Sequence, residues 1–172
     1  TAAFVRSIKG AKDGDWNENY ICNLMDWHLR AQQNMPWLAG TAPWTFKDFS
    51  TPIRPDNPVP YVNQKGVVER DLTKKEAYYV FQSCWTVEPM AHIYGHSMPI
   101  RWGDEGEEKM IKVYSNCDKA ELFVNGETVG IRQRNNNIFP AAGLYWNVIL
   151  KKGPNTVKVV ATKGKVSVAD TV

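Results

Sequence analysis

The chain has 172 residues, 43% hydrophobic and 23% charged, with a formal net charge of +3. At this length roughly 68–70% of the unfolded surface can be buried, so a core forms without a metal or disulfide staple. Its Lys and Arg stand singly or in pairs such as Lys74-Lys75 and Lys151-Lys152 beside acids, which argues against a nucleic-acid partner.

No apolar run approaches the roughly 20 residues of a membrane span, and no charged-then-apolar signal segment opens the chain. A start at Thr1 reads as the interior of something larger, so the missing signal says nothing about export. Cys22, Cys84 and Cys117 are an odd number at wide spacing in apolar or strand-like contexts, and are expected as buried small hydrophobes.

From Asp15 to Asn34 the apolar positions Trp16, Tyr20, Ile21, Leu24, Met25, Trp27 and Leu29 recur at helical spacing after Gly14-Asp15, which predicts an amphipathic helix ending before Pro36. The run "PWLAGTAPWTF" then fits a strand buried on both faces. Pro52, Pro55, Pro58 and Pro60 make the next stretch a long loop. Thr73 and Glu76 form a capping box for "KKEAYYVFQSCW", where Ala77, Val80, Phe81 and Cys84 or Trp85 share one face. The order of helix, buried strand, loop and helix is that of an α/β barrel. A complete barrel takes about 250 residues, so residues 1 to 86 hold only its end.

Beyond Trp85 the pattern changes to period two. "KMIKVYSN", "KAELFVNG", "ETVGIRQR", "GLYWNVIL" and "NTVKVVATK" are five strand candidates, with "AHIYGH" a sixth. Asn125-Gly126 is the strongest hairpin signal, because a type I′ turn needs positive φ at both central residues. Leu144, Trp146, Val148 and Leu150 face one way, toward a core. Residues 87 to 172 are therefore expected to form an antiparallel sandwich.

The ordered features W-x-F-x-D-F in "PWTFKDF", N-x-K-G in "NQKG", R-D-x-x-x-K in "RDLTKK" and then "VYSNCDKAELFVNG" resemble the C-terminal part of glycoside hydrolase family 2, in the version of Bacteroides-like gut bacteria. The resemblance covers nearly the whole chain. It implies a mixed fold: residues 1 to 86 as the C-terminal segment of a (β/α)8 TIM barrel, and residues 87 to 172 as an immunoglobulin-like β-sandwich. Within the barrel segment it makes residues 15 to 34 the seventh helix, 37 to 49 the eighth strand and 73 to 85 the eighth helix. It further implies an exo-acting, retaining β-glycosidase of terminal β-galactosides, with a β-glucuronidase as the alternative, in a periplasmic or secreted setting. The implied partners are an oligo- or polysaccharide with a terminal β-linked sugar and the remainder of the parent enzyme.

Retaining enzymes of the family use two Glu at the ends of the fourth and seventh strands, with carboxyls about 5–5.5 Å apart. The first Glu of this chain, Glu18, falls inside the implied seventh helix, so both catalytic residues are expected upstream and this fragment alone is expected to be inactive. What remains is substrate binding. Trp44 resembles the Trp that floors the sugar pocket, where an indole face stacks on a pyranose. Asn63 and Lys65 match an N-x-K pair that contacts the sugar carboxylate in the family's β-glucuronidases. Asp48 either bonds sugar hydroxyls or orients the loop, the second being preferred, and Phe46 and Phe49 are expected to pack.

Other constellations lead nowhere. On a period-two strand His92 and His96 lie about 13 Å apart along the chain, too far to share an ion, so no metal site is expected. Asp104, Glu105, Glu107 and Glu108 read as a solvated turn rather than a calcium site. No nucleophile elbow or Gly-rich phosphate loop occurs, and no cofactor is expected. The remaining alternative of another class is a non-catalytic glycan-binding or structural sandwich module, which needs an exposed platform from Trp102, Tyr114 or Tyr145.

Overall fold

The computed structural model describes residues 17–53, 55, 59–96 and 98–172. The helix start expected at Gly14 and Asp15, and Trp16, lie outside them. The chain divides into two compact units, Thr1–Tyr78 and Tyr79–Val172.

In the first unit α1 runs Glu18–Gln33, and the Asn17 side chain accepts the Tyr20 N–H at 2.9 Å as its N-cap. Its buried positions include Ile21, Cys22 and Leu29 but also Glu18, Asn19, Asp26 and Arg30, while Trp27 is exposed. The apolar stripe expected from spacing is thus only partly the buried one. Arg30 Nε donates to Asp26 one turn earlier at 3.2 Å, which is how two charged groups occupy a buried face.

The expected strand over residues 37 to 49 differs most. Only β1, Phe49–Ser50, is a strand, paired antiparallel with β2, Val62–Asn63, across the Pro-rich loop. Ahead of it the backbone bends at Trp44 and Phe46 and bonds to residues 67 and 68: Val67 N–H donates to Thr45 O at 3.2 Å, Val68 N–H to Phe46 O at 3.0 Å, and Asp48 N–H to Val68 O at 3.1 Å. Trp37, Trp44 and Phe46 are exposed. A strand is buried on both faces only where strands and helices flank it; among the described residues of this unit, 62–63 and 66–68 lie alongside.

The second helix, α2, runs Glu76–Trp85, three residues shorter than expected at its start. Thr73 does not cap it, because its carbonyl accepts Glu69 N–H in the preceding turn and Lys74 bridges to Val68. The Glu76 N–H instead donates to the buried Glu18 carboxylate at 3.0 Å. An anion from α1 therefore sits on the donor-rich end of α2. Ala77, Val80 and Phe81 are buried along one face, as their spacing suggests.

The second unit is an antiparallel β-sandwich. Its strands are β3 Ala91–Ile93, β4 Glu108–Ser115, β5 Lys119–Val124, β6 Glu127–Gln133, β7 Tyr145–Ile149, β8 Val157–Lys163 and β9 Val166–Thr171. One sheet has the order β3-β4-β7 and the other β6-β5-β8-β9. Ile111, Val113, Leu122, Leu144, Trp146, Val148, Val157 and Val159 form the core between them, with Leu150 packed at its edge. Along β7 burial alternates: Trp146 and Val148 point inward, Asn147 and Ile149 outward. Trp146 Nε1 donates to the Gly130 carbonyl at 3.0 Å, satisfying its one polar atom while joining the sheets.

Asn125 and Gly126 both take positive φ, 54° and 87°, in the two-residue turn between β5 and β6. The strand β9 was not among the sequence candidates; it is an edge strand with mostly half-exposed or exposed residues, and its hairpin with β8 turns at Gly164. The sequence candidate "AHIYGH" is also shorter than expected, since the strand ends at Ile93 and a turn follows. Cys22 and Cys117 are buried and Cys84 half-buried, and none of them forms a disulfide among the described residues. No helix among the described residues is long and apolar enough to cross a membrane.

Candidate functional site

Asp48 lies just before β1 and is 5% exposed; Lys75, just before α2, is 2% exposed. The Lys75 ammonium donates to both carboxylate oxygens of Asp48, at 2.8 and 2.9 Å, and to the Gln64 carbonyl at 3.2 Å. The same carboxylate accepts the Gly66 N–H at 2.8 Å. All three ammonium protons are used, so a buried charge pair is neutralised and hydrogen-bonded. Only Gly fits at position 66: a Cβ there falls 2.3 Å from Asp48 N and 2.5 Å from the Val68 carbonyl.

This cluster holds the segment 64–66 from beneath. Asn63 is buried and in register with Phe49 across the β1–β2 pair. Its side-chain oxygen accepts the Lys65 N–H at 3.2 Å, a local turn that leaves the amide nitrogen as its donor. Lys65 is half-buried, and its ammonium has no hydrogen bond or ion pair among the described residues. The neighbouring lysine of the same short region thus spends its charge on structure, and this one does not.

Trp44 is 65% exposed and meets Phe49 edge-on, ring centroids 5.9 Å apart. Its peptide bond to Thr45 is cis. Phe46, expected to pack, is exposed in this unit, while Phe49 is half-buried. The structure therefore joins Trp44 to Asn63 through Phe49, and Asp48 to the Asn63–Lys65 segment through Gly66 and Lys75. Lys75 and Gly66 were not singled out by sequence reasoning for a site, although both stand in the N-x-K-G and R-D-x-x-x-K patterns. Glu18 has the structural place described above, at the end of α2.

In the second unit Tyr114 is 1% exposed and Tyr145 half-buried, leaving Trp102 as the outward aromatic of the platform considered for glycan binding. Among the acids of the 104–108 turn, Glu107 pairs with Lys109. That hydrogen bond, with another from the Asp104 backbone N–H, holds the Glu107 carboxyl below its ordinary pKa. The histidines depart from expectation. The strand ends at Ile93, the chain turns over residues 94–96, and His96 returns toward His92, with the rings 5.8 Å apart and nearly parallel. Asp170 of β9 joins them.

Residues 106–169 match a family model described as a domain of unknown function, DUF4982. Across 161 residues the chain is 48% identical to a putative β-glucuronidase of Formosa agariphila, covering 93% of this chain and 20% of that protein. Across 150 residues it is 30% identical to the β-galactosidase BoGH2A of Bacteroides ovatus, covering 84% of this chain and 16% of that protein. The crystal structure of Parabacteroides merdae β-glucuronidase with glycerol in its active site superposes with a TM-score of 0.91 at 60% identity, over 94% of this chain and 21% of that one. The chain thus spans about a fifth of the length of the relatives it matches. With its W-x-F-x-D-F, N-x-K-G and R-D-x-x-x-K segments in the same order as the family's, the chain belongs to glycoside hydrolase family 2, as a C-terminal part of an enzyme of that family.

Proposed function

We propose that the chain supplies a wall of the sugar site in an exo-acting, retaining β-glycosidase that releases terminal β-glucuronic acid. On this reading residues 1 to 86 are the end of the catalytic barrel, and residues 87 to 172 are an immunoglobulin-like domain that follows it. The acid and the nucleophile come from barrel strands outside this chain.

The observation that carries the proposal is the unspent ammonium of Lys65. Its residue follows Asn63 by two positions and is tied to it by the Lys65 N–H bond to the Asn63 side-chain oxygen, which leaves the Asn63 amide nitrogen as a donor, on a segment clamped by the Asp48–Lys75 pair. A cation and an amide donor held together suit a sugar carboxylate, through charge-assisted hydrogen bonds worth about 1.5–3 kcal/mol each. Pre-organisation matters because the clamp holds the backbone on either side of Lys65 before the sugar arrives. Trp44 offers an exposed indole face to the C–H face of the ring. Asp48 holds the loop and does not reach the sugar, since both of its oxygens are committed. The similarity to β-glucuronidases of Formosa and Parabacteroides supports the same preference.

Galactoside hydrolysis, the first expectation from sequence, is the second reading, favoured by the 30% identity to the Bacteroides ovatus β-galactosidase. The test uses the whole parent enzyme with nitrophenyl β-glucuronide and nitrophenyl β-galactoside. Lys65→Ala is expected to lower kcat/KM for the glucuronide by about 10–100-fold, the loss of one charge-assisted bond, and to leave the galactoside nearly unchanged. Equal losses on the two substrates would refute uronate recognition by Lys65.

A further inference from the structure

We propose that His92, His96 and Asp170 form a binding site for one divalent transition-metal ion of the zinc type, which clips the two sheets of the sandwich together. His92 belongs to β3 of the three-stranded sheet, Asp170 to β9 of the four-stranded sheet, and His96 to the turn that follows β3. Their candidate ligand atoms all lie within 4.8 Å of one another. The sequence separation hid this, because a continuous strand keeps the two histidines apart whereas the turn at residues 94–96 folds the second back.

Two of the three groups are held before any ion arrives. Asp170 accepts the Ile93 N–H at 2.7 Å and the Thr171 N–H at 2.9 Å, which fixes its carboxylate at the junction of the sheets. The His92 ring is buried and stacks on Tyr79, with centroids 3.5 Å apart and planes 6° from parallel. His96 is the adjustable member: its side chain is 43% exposed, and its Nδ1 lies 3.1 Å from one oxygen of Asp170 and 3.2 Å from the other.

Zinc bonds of about 2.0–2.1 Å place neighbouring tetrahedral donors about 3.3–3.4 Å apart. The His96–Asp170 pair is close to that spacing at 3.1–3.2 Å, and the separations that involve His92, at most 4.8 Å, need to close by no more than about 1.4 Å to reach coordination distance. Two imidazoles with one carboxylate suit zinc, nickel or copper, whereas calcium and magnesium take all-oxygen sets. The exposure of His96 leaves the fourth position to water.

The test is calorimetric titration of chelator-stripped chain with zinc chloride, carried out on Cys84→Ser so that the half-buried thiol contributes nothing. One zinc per chain is expected, with an upward shift of the thermal midpoint at saturating zinc. His96→Ala, at an exposed turn, is expected to weaken binding at least about tenfold with the metal-free midpoint nearly unchanged. Asp170→Asn gives the same loss; if it fails to fold for want of the Ile93 contact, His96→Ala decides alone. Absence of binding at about 100 µM zinc, or an affinity that His96→Ala leaves unchanged, overturns the site and leaves an Asp–His pair beside stacked rings.

Discussion

The two units are held together by different means. The sandwich is built on apolar side chains that alternate along its strands, and the tightest positions, such as Val113, Leu122, Leu144 and Val159, are fully buried hydrocarbon. The first unit buries charge instead: Asp48 with Lys75, Asp26 with Arg30, and Glu18 on the end of α2. It also exposes Trp37, Trp44 and Phe46. Apolar burial is non-directional and tolerant, whereas a buried ion pair is worth having only with its full set of partners. The first unit should therefore fail sharply at single polar positions and the second gradually with lost volume.

The largest effect is expected from Lys75→Met, which leaves the Asp48 carboxylate buried and unpaired at a cost of about 3–5 kcal/mol. Urea unfolding measures it, and adding Asp48→Leu should restore part of the loss; no restoration would mean that the pair is not the source. In the sandwich, Leu122→Ala should cost about 2–5 kcal/mol through lost contacts and a cavity, read by a lower midpoint with an unchanged m-value. A cost in the first unit no greater than this would erase the contrast.

Smaller effects test single devices. Asn125→Ala puts a residue poorly suited to positive φ into the β5–β6 turn, and a loss of about 1 kcal/mol is expected in thermal melts. Unaltered melting would refute turn strain as the reason for Asn. The smallest effect concerns Glu107. Its folded pKa is lowered from the ordinary 4.5, with Lys109 as the main cause. The unfolded state then binds more protons, so this contribution is present above about 4.5 and is lost as pH falls through the folded value. Glu107→Gln should flatten the stability profile in that acidic window and nowhere else. Stability near neutrality should fall by a constant small amount, and a change of slope there would point to another cause.

The sequence alone determined what is encoded at short range. Period-two alternation marked β4 to β8 and the inward face of Leu144, Trp146 and Val148, because neighbouring side chains of a strand point to opposite sides whatever else the chain does. Asn125-Gly126 marked its hairpin for an equally local reason, the freedom of both residues at positive φ. The ordered N-x-K-G and R-D-x-x-x-K patterns carry the family resemblance on which the proposed sugar loop rests. β9 escaped because an edge strand with little buried surface carries a weak alternation.

Tertiary structure decided the rest, since it depends on pairs far apart in the chain. Asp48 meets Lys75 across 27 positions, Glu18 caps α2 across 58, and His96 meets Asp170 across 74. The capping box at Thr73 gave way for the same reason: its backbone already bonded to Glu69, and a distant carboxylate offered the Glu76 N–H a better partner. Local patterns fix which way a side chain points, but only the folded chain chooses which charge it meets.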